Sequence, residues 1–400
     1  MRYNGRVLKI PNLEAARTEL LSIGVDDPGV AIMAPKAVHR VIKLEGVPVR
    51  AANILKQEML AVGGEAGVAR GVSEFSVETS DVLLMGTESQ LKRVAEKLRR
   101  QPFGLKAVAA EIAELVQNLG RKKMGVLSCR EYSLPVGERT LIMGILNVTP
   151  DSFSDGGRYV DPEKAVERAR EMVAQGADII DVGAESTRPG HTPVGAEEEL
   201  RRLTPVVRRL VRELDVPISV DTMKARVAKA MLEEGVHIIN DVWGLQRDPD
   251  MARVAAEYNT PVVVMHNKEK AVYKSLMGEI LSFFRKSFEI AVRAGLREEN
   301  LVIDPGFGFG KTAEQNLVVL GRLGELKVLG RPILLGTSRK STIGKVLDLP
   351  VEERVEGTAA TVAVGIVNGA NIVRVHDVKE MTRVARMTDA ILRWEQATEG

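Results

Sequence analysis

A single cysteine, Cys129, stands in 400 residues. One thiol makes no intrachain disulfide and no Cys-rich zinc or iron–sulfur site, so the chain reads as a protein of a reducing compartment. Histidine is sparse as well. Five are scattered with no H-x-x-x-H pair, which argues against a His-based metal centre. No run of about 18 apolar residues occurs, and the opening MRYNGRVLKIPNLEAARTEL lacks the apolar stretch of a secretory signal. Neither export nor membrane spanning is expected; a cytoplasmic location is. An excess of one charge is also missing. Lys and Arg total 56 against 54 Asp and Glu, a net +2, with no basic block long enough for a nucleic-acid face. No nucleic-acid or membrane partner is expected.

What is present is a chain 44% apolar and long enough for two domains, or for one large barrel with an extension. The polar stretch NLGRKKMGVLSCREYSLPVGER lacks a sustained helical period and carries Gly and Pro, so it reads as a connection. We place a small α+β domain at residues 1–125, a linker at 126–138 and a second domain at 139–397. The first domain shows a strand at Arg6–Ile10 and a helix at Asn12–Ser22. A helix with apolar Ala51, Ile54, Leu55 and Met59 follows, stopped by Gly63-Gly64. A strand at Asp81–Met85 and helices at Ser89–Arg100 and Leu105–Asn118 complete it. It carries no catalytic carboxylate pair or phosphate loop, and reads as a docking or regulatory module.

The second domain repeats one unit. Short apolar, β-branched runs at Leu141–Leu146, Asp178–Val182, Pro217–Val220, His237–Ile239, Pro261–Met265, Leu301–Ile303, Pro332–Leu335 and Asn371–Val375 alternate with helical stretches such as Pro162–Gln175 and Ala196–Glu213. Strands without polar alternation are buried on both faces. Eight of them in about 250 residues describe a (β/α)8 TIM barrel, an α/β fold, better than an open sheet.

Barrel enzymes work at the C-terminal ends of their strands. Those ends carry Asn147; Glu185, Ser186, Thr187 and Arg188; Asp221; Asn240 and Asp241; Met265 and His266; Asp304; Ser338, Arg339, Lys340 and Ser341; Arg374 and His376. One Asp or Asn at a strand end is commonly a helix cap or turn former. A polar group on every strand is harder to explain that way, and Asp with Asn suits a flat, amide-rich heterocycle. Lys340, Arg374 and His376 come from strands seven and eight, where barrels commonly hold phosphate, and suggest an anion site. GFGFGKT is not a Walker loop: the position five residues before Gly310 is Pro305. Its glycines read as a tight turn allowing close approach to a ligand. The loops NVTPDSFSDGGRYVD and GAESTRPGHTPVG are long for βα connections and suggest mobile lids.

The motifs MGILNVTPDSFSDGG, DVGAESTRPG, SVDT, INDVWG, DPGFGFGKT, TSRKS and RVHDV, in unbroken order over about residues 139–395, resemble those of the dihydropteroate synthases. That family joins 6-hydroxymethyl-7,8-dihydropterin pyrophosphate to 4-aminobenzoate in folate biosynthesis, uses Mg2+ and is usually a homodimer. The resemblance implies that Asp221, Asn240, Asp304 and Lys340 hold the pterin, with Met265 packed beneath it. It implies Asn147, Thr187, Arg374 and His376 for the pyrophosphate, Asn147 also lying near Mg2+. Ser341, at a helix start, would take the aminobenzoate carboxylate, with Phe153, Arg188 and Phe309 as walls. Asp155 would face the reacting methylene, and Asp155, Arg188, Lys340, Arg374 and His376 form the implied catalytic set. The N-terminal domain and the strand-five sequence HNKEKAVYKSLM depart from the family pattern.

The chemistry suits these residues. An arylamine is already nucleophilic at neutral pH, so the harder event is pyrophosphate departure, which Mg2+, Arg374 and His376 can assist. A stabilised pterin methylene cation would favour an SN1-like path. Two alternatives stand beside this one: a methyltransferase using methyltetrahydrofolate on the same barrel, and a catalytically silent pterin-binding or regulatory protein. The first leaves Ser338–Ser341 and the anion site unexplained; the second leaves the complete rim unexplained.

Overall fold

The computed structural model describes residues 3–120, 124–149, 161–185 and 194–392. The chain forms two compact units, Met1–Lys122 and Lys123–Gly400. No described helix is long and apolar enough to cross a membrane.

In the first unit, strands β1 (His39–Pro48), β2 (Glu65–Val68) and β3 (Thr79–Thr87) make an antiparallel sheet in the order β1-β3-β2. Its period-two pattern buries Ile42 and Leu44 of β1 and Val82 and Leu84 of β3. Helices α3 (Val49–Ala61) and α4 (Glu88–Leu98) pack against them. Helix α1 (Leu13–Ser22) starts at the Asn12 cap, which accepts from Ala15 N–H, and is followed by α2 (Asp27–Ala37); α5 (Leu105–Leu119) lies against α4. The unit is α+β, but two details of the sequence reading change. Arg6–Ile10 forms no strand, and Val7 is fully exposed. The helix α2 and strands β1 and β2 were not expected.

The second unit is a barrel of eight parallel strands: β6 (Leu141–Asn147), β7 (Ile179–Gly183), β8 (Ile218–Asp221), β9 (Ile238–Asp241), β10 (Val262–Met265), β11 (Leu301–Asp304), β12 (Leu334–Leu335) and β13 (Ile372–Val375). The ladder runs β11-β10-β9-β8-β7-β6-β13-β12, and a parallel bridge between Ile303 and Ile333 joins its two ends. Alternate side chains obey the strand period. Ile142, Ile180, Val220, Ile239, Val264, Ile303 and Val373 point outward into the main core under the helices. Leu141, Met143, Ile179, Ile238, Val263, Val302, Leu334 and Ile372 point inward and fill the bottom of the barrel.

Residues 126–138 are not a linker. Strands β4 (Gly125–Cys129) and β5 (Tyr132–Val136) form an antiparallel hairpin, and its Leu127, Cys129, Leu134 and Val136 join the inner cluster as a plug. Arg130 donates to Leu232 O at 2.5 Å, and Tyr132 meets His237 edge-on at 5.0 Å. The hairpin therefore belongs to the barrel, and the unit begins near residue 123 rather than 139.

Candidate active site

Above the apolar plug, the inward positions turn polar. Asp181 on β7, Asp221 on β8, Asn240 on β9, Asp304 on β11 and Arg374 on β13 point into the barrel, and Met265 on β10 sits buried beside Asp304 in register. Arg374 bridges two carboxylates. Its Nε donates to Asp181 Oδ2 at 2.6 Å and its Nη2 to Asp221 Oδ2 at 2.8 Å. Asn240 Nδ2 donates to the same Asp181 Oδ2 at 3.0 Å. Glycine holds two other inward places: a Cβ at Gly183 would stand 3.4 Å from Asp221 Cβ, and one at Gly336 3.8 Å from Arg374 Cβ. Small residues there leave the mouth open.

Burial pushes the Asp221 carboxyl up to about 7, against the pull of Arg374 and with Asp181 adding to the rise. Asp304 is raised by the same desolvation and pulled back by the Gly306 N–H, which donates to its Oδ1 at 2.7 Å, and by Lys340 and Arg374. A ligand offering N–H groups to these oxygens offsets that desolvation.

Lys340 is set over this pocket by its turn. Arg339 has φ +55°, a left-handed conformation that is sterically costly for a non-glycine residue and is held by its contacts. Here its N–H donates to Thr358 Oγ1, its carbonyl accepts from Arg354, and its guanidinium grips both oxygens of Asp377. Lys340 Nζ lies 4.2 Å from the centre of the Phe309 ring. Ser341 follows as the exposed first residue of a seven-residue helix, Ser341–Leu347.

The turn after β11 is a backbone device. Gly306 (φ +68°) and Gly310 (φ +54°) would put a Cβ 1.9 Å from His266 O and 2.1 Å from Lys268 O. The close approach is to the strand-five loop, whereas the sequence suggested a ligand; Gly308 alone faces a site residue, Lys340. Lys311 buckles the turn, donating to Gly306 O and Phe309 O and standing 2.9 Å from His266 Nδ1. Desolvation brings Lys311 down to about 7 and His266 to about 3, so His266 is a neutral acceptor. Neither had been given a role.

His376 departs from the picture of a basic cluster. Burial with Arg374 and Arg339 nearby lowers it to about 4, so it carries no charge at neutral pH. Ser338 Oγ accepts from His376 N–H at 3.1 Å and faces Nδ1 at 3.0 Å. In the tautomer where the hydroxyl donates to Nδ1, Nε2–H is left as a neutral donor. Arg374 is the permanent cation, and two of its donor groups already face carboxylates.

Other strand-end residues have structural work. Asp241 accepts from Trp243 and Leu245 N–H and shapes its own turn. Glu185 takes Lys224 at 2.5 Å, and Lys224 also holds buried Glu199 at 2.6 Å. Asn147 is exposed at the end of β6, in register with Gly183. Phe153, Asp155, Ser186, Thr187 and Arg188 lie outside the described residues. Asp181 was missed. Its signal was a carboxylate inside an apolar strand, IIDVG, rather than at its end.

The parallel barrel gathers Asp, Asn, Lys and Arg on one rim, as an enzyme of this fold does at its active site, and its residues 143–376 match the family model described as pterin binding enzyme. The chain is 55% identical over 259 residues to a dihydropteroate synthase of Clostridium beijerinckii, covering 64% of this chain and 96% of that one. It is 43% identical over 390 residues to a probable bifunctional folylpolyglutamate synthase/dihydropteroate synthase of Halobacterium salinarum, covering 95% of this chain and 46% of that one. A crystal structure of the Clostridium difficile dihydropteroate synthase in the presence of pteroic acid superposes with a TM-score of 0.63 at 57% identity, covering 64% of this chain and 98% of that one. The chain belongs to the dihydropteroate synthase family.

Proposed function

We propose that this enzyme of folate biosynthesis condenses 6-hydroxymethyl-7,8-dihydropterin pyrophosphate with 4-aminobenzoate, giving 7,8-dihydropteroate and pyrophosphate. The observation that carries the reading is the convergence of Asp221, Asn240, Asp304 and Lys340 on one polar layer above an apolar plug. The two carboxylates accept from ring N–H groups, Asn240 pairs with the amide edge, and Met265 offers an apolar floor. Arg374 and the Nε2–H of His376 stand toward the pyrophosphate, and Ser341 and Phe309 toward the aminobenzoate. Asn147, Phe153, Asp155, Thr187 and Arg188 complete the assignment on the two long loops and their roots.

Among the described residues no three His, Cys, Asp or Glu side chains converge as a metal cage. Mg2+ is commonly bound through substrate phosphates and one or two protein oxygens. Asn147 offers one amide oxygen. With Asn147 holding it beside the pyrophosphate, Mg2+ would neutralise the leaving group's charge. The chain's own contribution is to orient the ring, donate from Arg374 and His376 as the C–O bond lengthens, and exclude water from the pterin layer. The path is SN1-like: the pterin stabilises the methylene cation by conjugation, the neutral arylamine attacks it, and the amine proton leaves to solvent.

The enzyme works in the cytoplasm as a homodimer. Val346 and Leu347 on the helix Ser341–Leu347, Val364 and Val367 on the helix Val355–Val367, and Met387 and Ile391 on the helix Val378–Leu392 are 45–63% exposed; these apolar side chains suit burial against a second copy. Val364→Asp should shift the sedimenting species from dimer to monomer. The defining assay mixes the full chain with dihydropterin pyrophosphate, Mg2+ and 4-aminobenzoate. Stoichiometric pyrophosphate and dihydropteroate are expected; neither product appearing overturns the proposal.

A further inference from the structure

One step below the rim on β7, Asp181 sits fully buried inside the barrel. Its neighbours in register are Ile145 on β6 and Ser219 on β8. Oδ2 accepts from both Arg374 Nε and Asn240 Nδ2, at 2.6 and 3.0 Å. Oδ1 and Ser219 Oγ are both buried without a hydrogen-bond partner. A carboxylate in this place is costly to desolvate, and an apolar side chain would continue the layer of Ile179 and Val263 below it. Plugging the barrel therefore does not explain Asp181, whereas its two hydrogen-bond donors do, because both belong to the rim.

We infer that Asp181 is a positioning residue that fixes which end of the Asn240 amide the pterin ring meets and which edge of the Arg374 guanidinium its pyrophosphate meets. An amide with Nδ2 turned to Asp181 turns Oδ1 the other way. Asn240 then offers the ring an acceptor, which matches a heterocycle edge carrying N–H and NH2 groups. Turned over, it would meet those donors with its own. Drawing Nε of Arg374 down leaves Nη2 on Asp221 Oδ2, so Asp221 keeps Oδ1 for the ring. Asp181 acts on specificity without touching substrate. The inference rests on the pterin reading of the site.

The test is Asp181→Asn, which keeps the shape, removes the charge and replaces one of the two acceptor oxygens by a donor. The probe is 6-hydroxymethyl-7,8-dihydropterin pyrophosphate with Mg2+, titrated calorimetrically against the full chain. Taking the charge out of these two hydrogen bonds should weaken binding by at least ~10-fold, with KM for 4-aminobenzoate unchanged and a cooperative melting transition retained. The second variant is the exchange Asp181→Asn with Asn240→Asp. The new amide at 181 donates to the new carboxylate at 240, which still turns an oxygen to the ring, so the pair should bind tighter than Asn240→Asp alone. Binding of Asp181→Asn equal to the unaltered enzyme, or no recovery in the exchange, overturns the inference. Unfolding of both variants also overturns it, since Asp181 would then be a structural member. An unaltered enzyme that fails to bind the probe defeats the pterin reading itself, which is a separate result.

Discussion

The Asp221 carboxyl, pushed up to about 7 by burial, gives the site a pH dependence with a definite sign. The ring needs an acceptor, so the ionised form binds. Below about 7, affinity for the dihydropterin pyrophosphate should fall by about tenfold per pH unit, levelling off above it. Titrations between about pH 5.5 and about pH 8.5 check this; a flat profile would mean the carboxylate is already ionised by Arg374. Stability runs the other way. The folded chain holds this proton to higher pH than the unfolded chain, whose Asp has its ordinary value of about 4. The contribution of Asp221 is therefore present below about pH 4 and lost as pH rises toward about 7. At Lys340 the expectation concerns binding. Its ammonium lies over Phe309 and favours ionisation of both Asp221 and Asp304. Lys340→Ala should raise KM for the pterin substrate at least ~10-fold, while thermal melting moves little because a partly exposed charge adds only about 1 kcal/mol or less. Steady-state constants near those of the unaltered enzyme would remove Lys340 from the site.

At the scale of elements, the turn from Asp304 to Lys311 joins two strands through its backbone. Gly306→Ala and Gly310→Ala each place a methyl inside 2.2 Å of a carbonyl oxygen in a left-handed conformation. The conformation alone costs about 1–2 kcal/mol per residue, and the clash adds to it. Both variants should lower the urea midpoint and pterin affinity together, since the Gly306 N–H holds Asp304. Gly195→Ala, with open space and negative φ, should change neither. This turn also shows what a sequence conveys. Its glycines announced a tight approach but not the partner, because the His266 and Lys268 carbonyls come from the loop after another strand. The eight barrel strands were legible, since runs such as LIMGILN and PVVVM are buried on both faces. The hairpin at 125–136 was not. Its alternation of Leu127, Cys129, Leu134 and Val136 has period two, and Gly, Pro and charge around it read as a connection. Helix α2 was hidden by Pro28, Gly29 and Pro35, although Asp26 capping Gly29 N–H was a start signal. Strand β1 was interrupted by a register shift between Leu44 and Val47. Arg6–Ile10 has strand-like composition and no partner strand. In the site, strand-end residues were readable from position alone, while Asp181 was not, because it acts through side chains contributed by β9 and β13.

For the whole molecule, the hairpin decides where the chain can be cut. The inner cluster takes four side chains from β4 and β5, so a barrel without them exposes Leu141, Met143, Ile179 and Ile372 at its lower end. Burying one such side chain is worth about 1.5–3 kcal/mol, and a domain's net stability is about 5–15 kcal/mol. Losing the plug should therefore abolish folding. Cutting after Lys122 keeps it. The C. beijerinckii relative is matched over 96% of its length by 64% of this chain, so a chain of little more than the barrel suffices for that protein. Expressed from Lys123 onward, the chain should fold, melt cooperatively and form dihydropteroate with KM values near those of the full chain, because every assigned residue lies at or beyond Asn147. Expressed from Arg139, it should be insoluble or molten, with no cooperative transition by circular dichroism. Equal folding of the two fragments would show that the hairpin is dispensable. Failure of the longer fragment would show that Met1–Lys122 is needed for the barrel to fold, and that the two units are thermodynamically one.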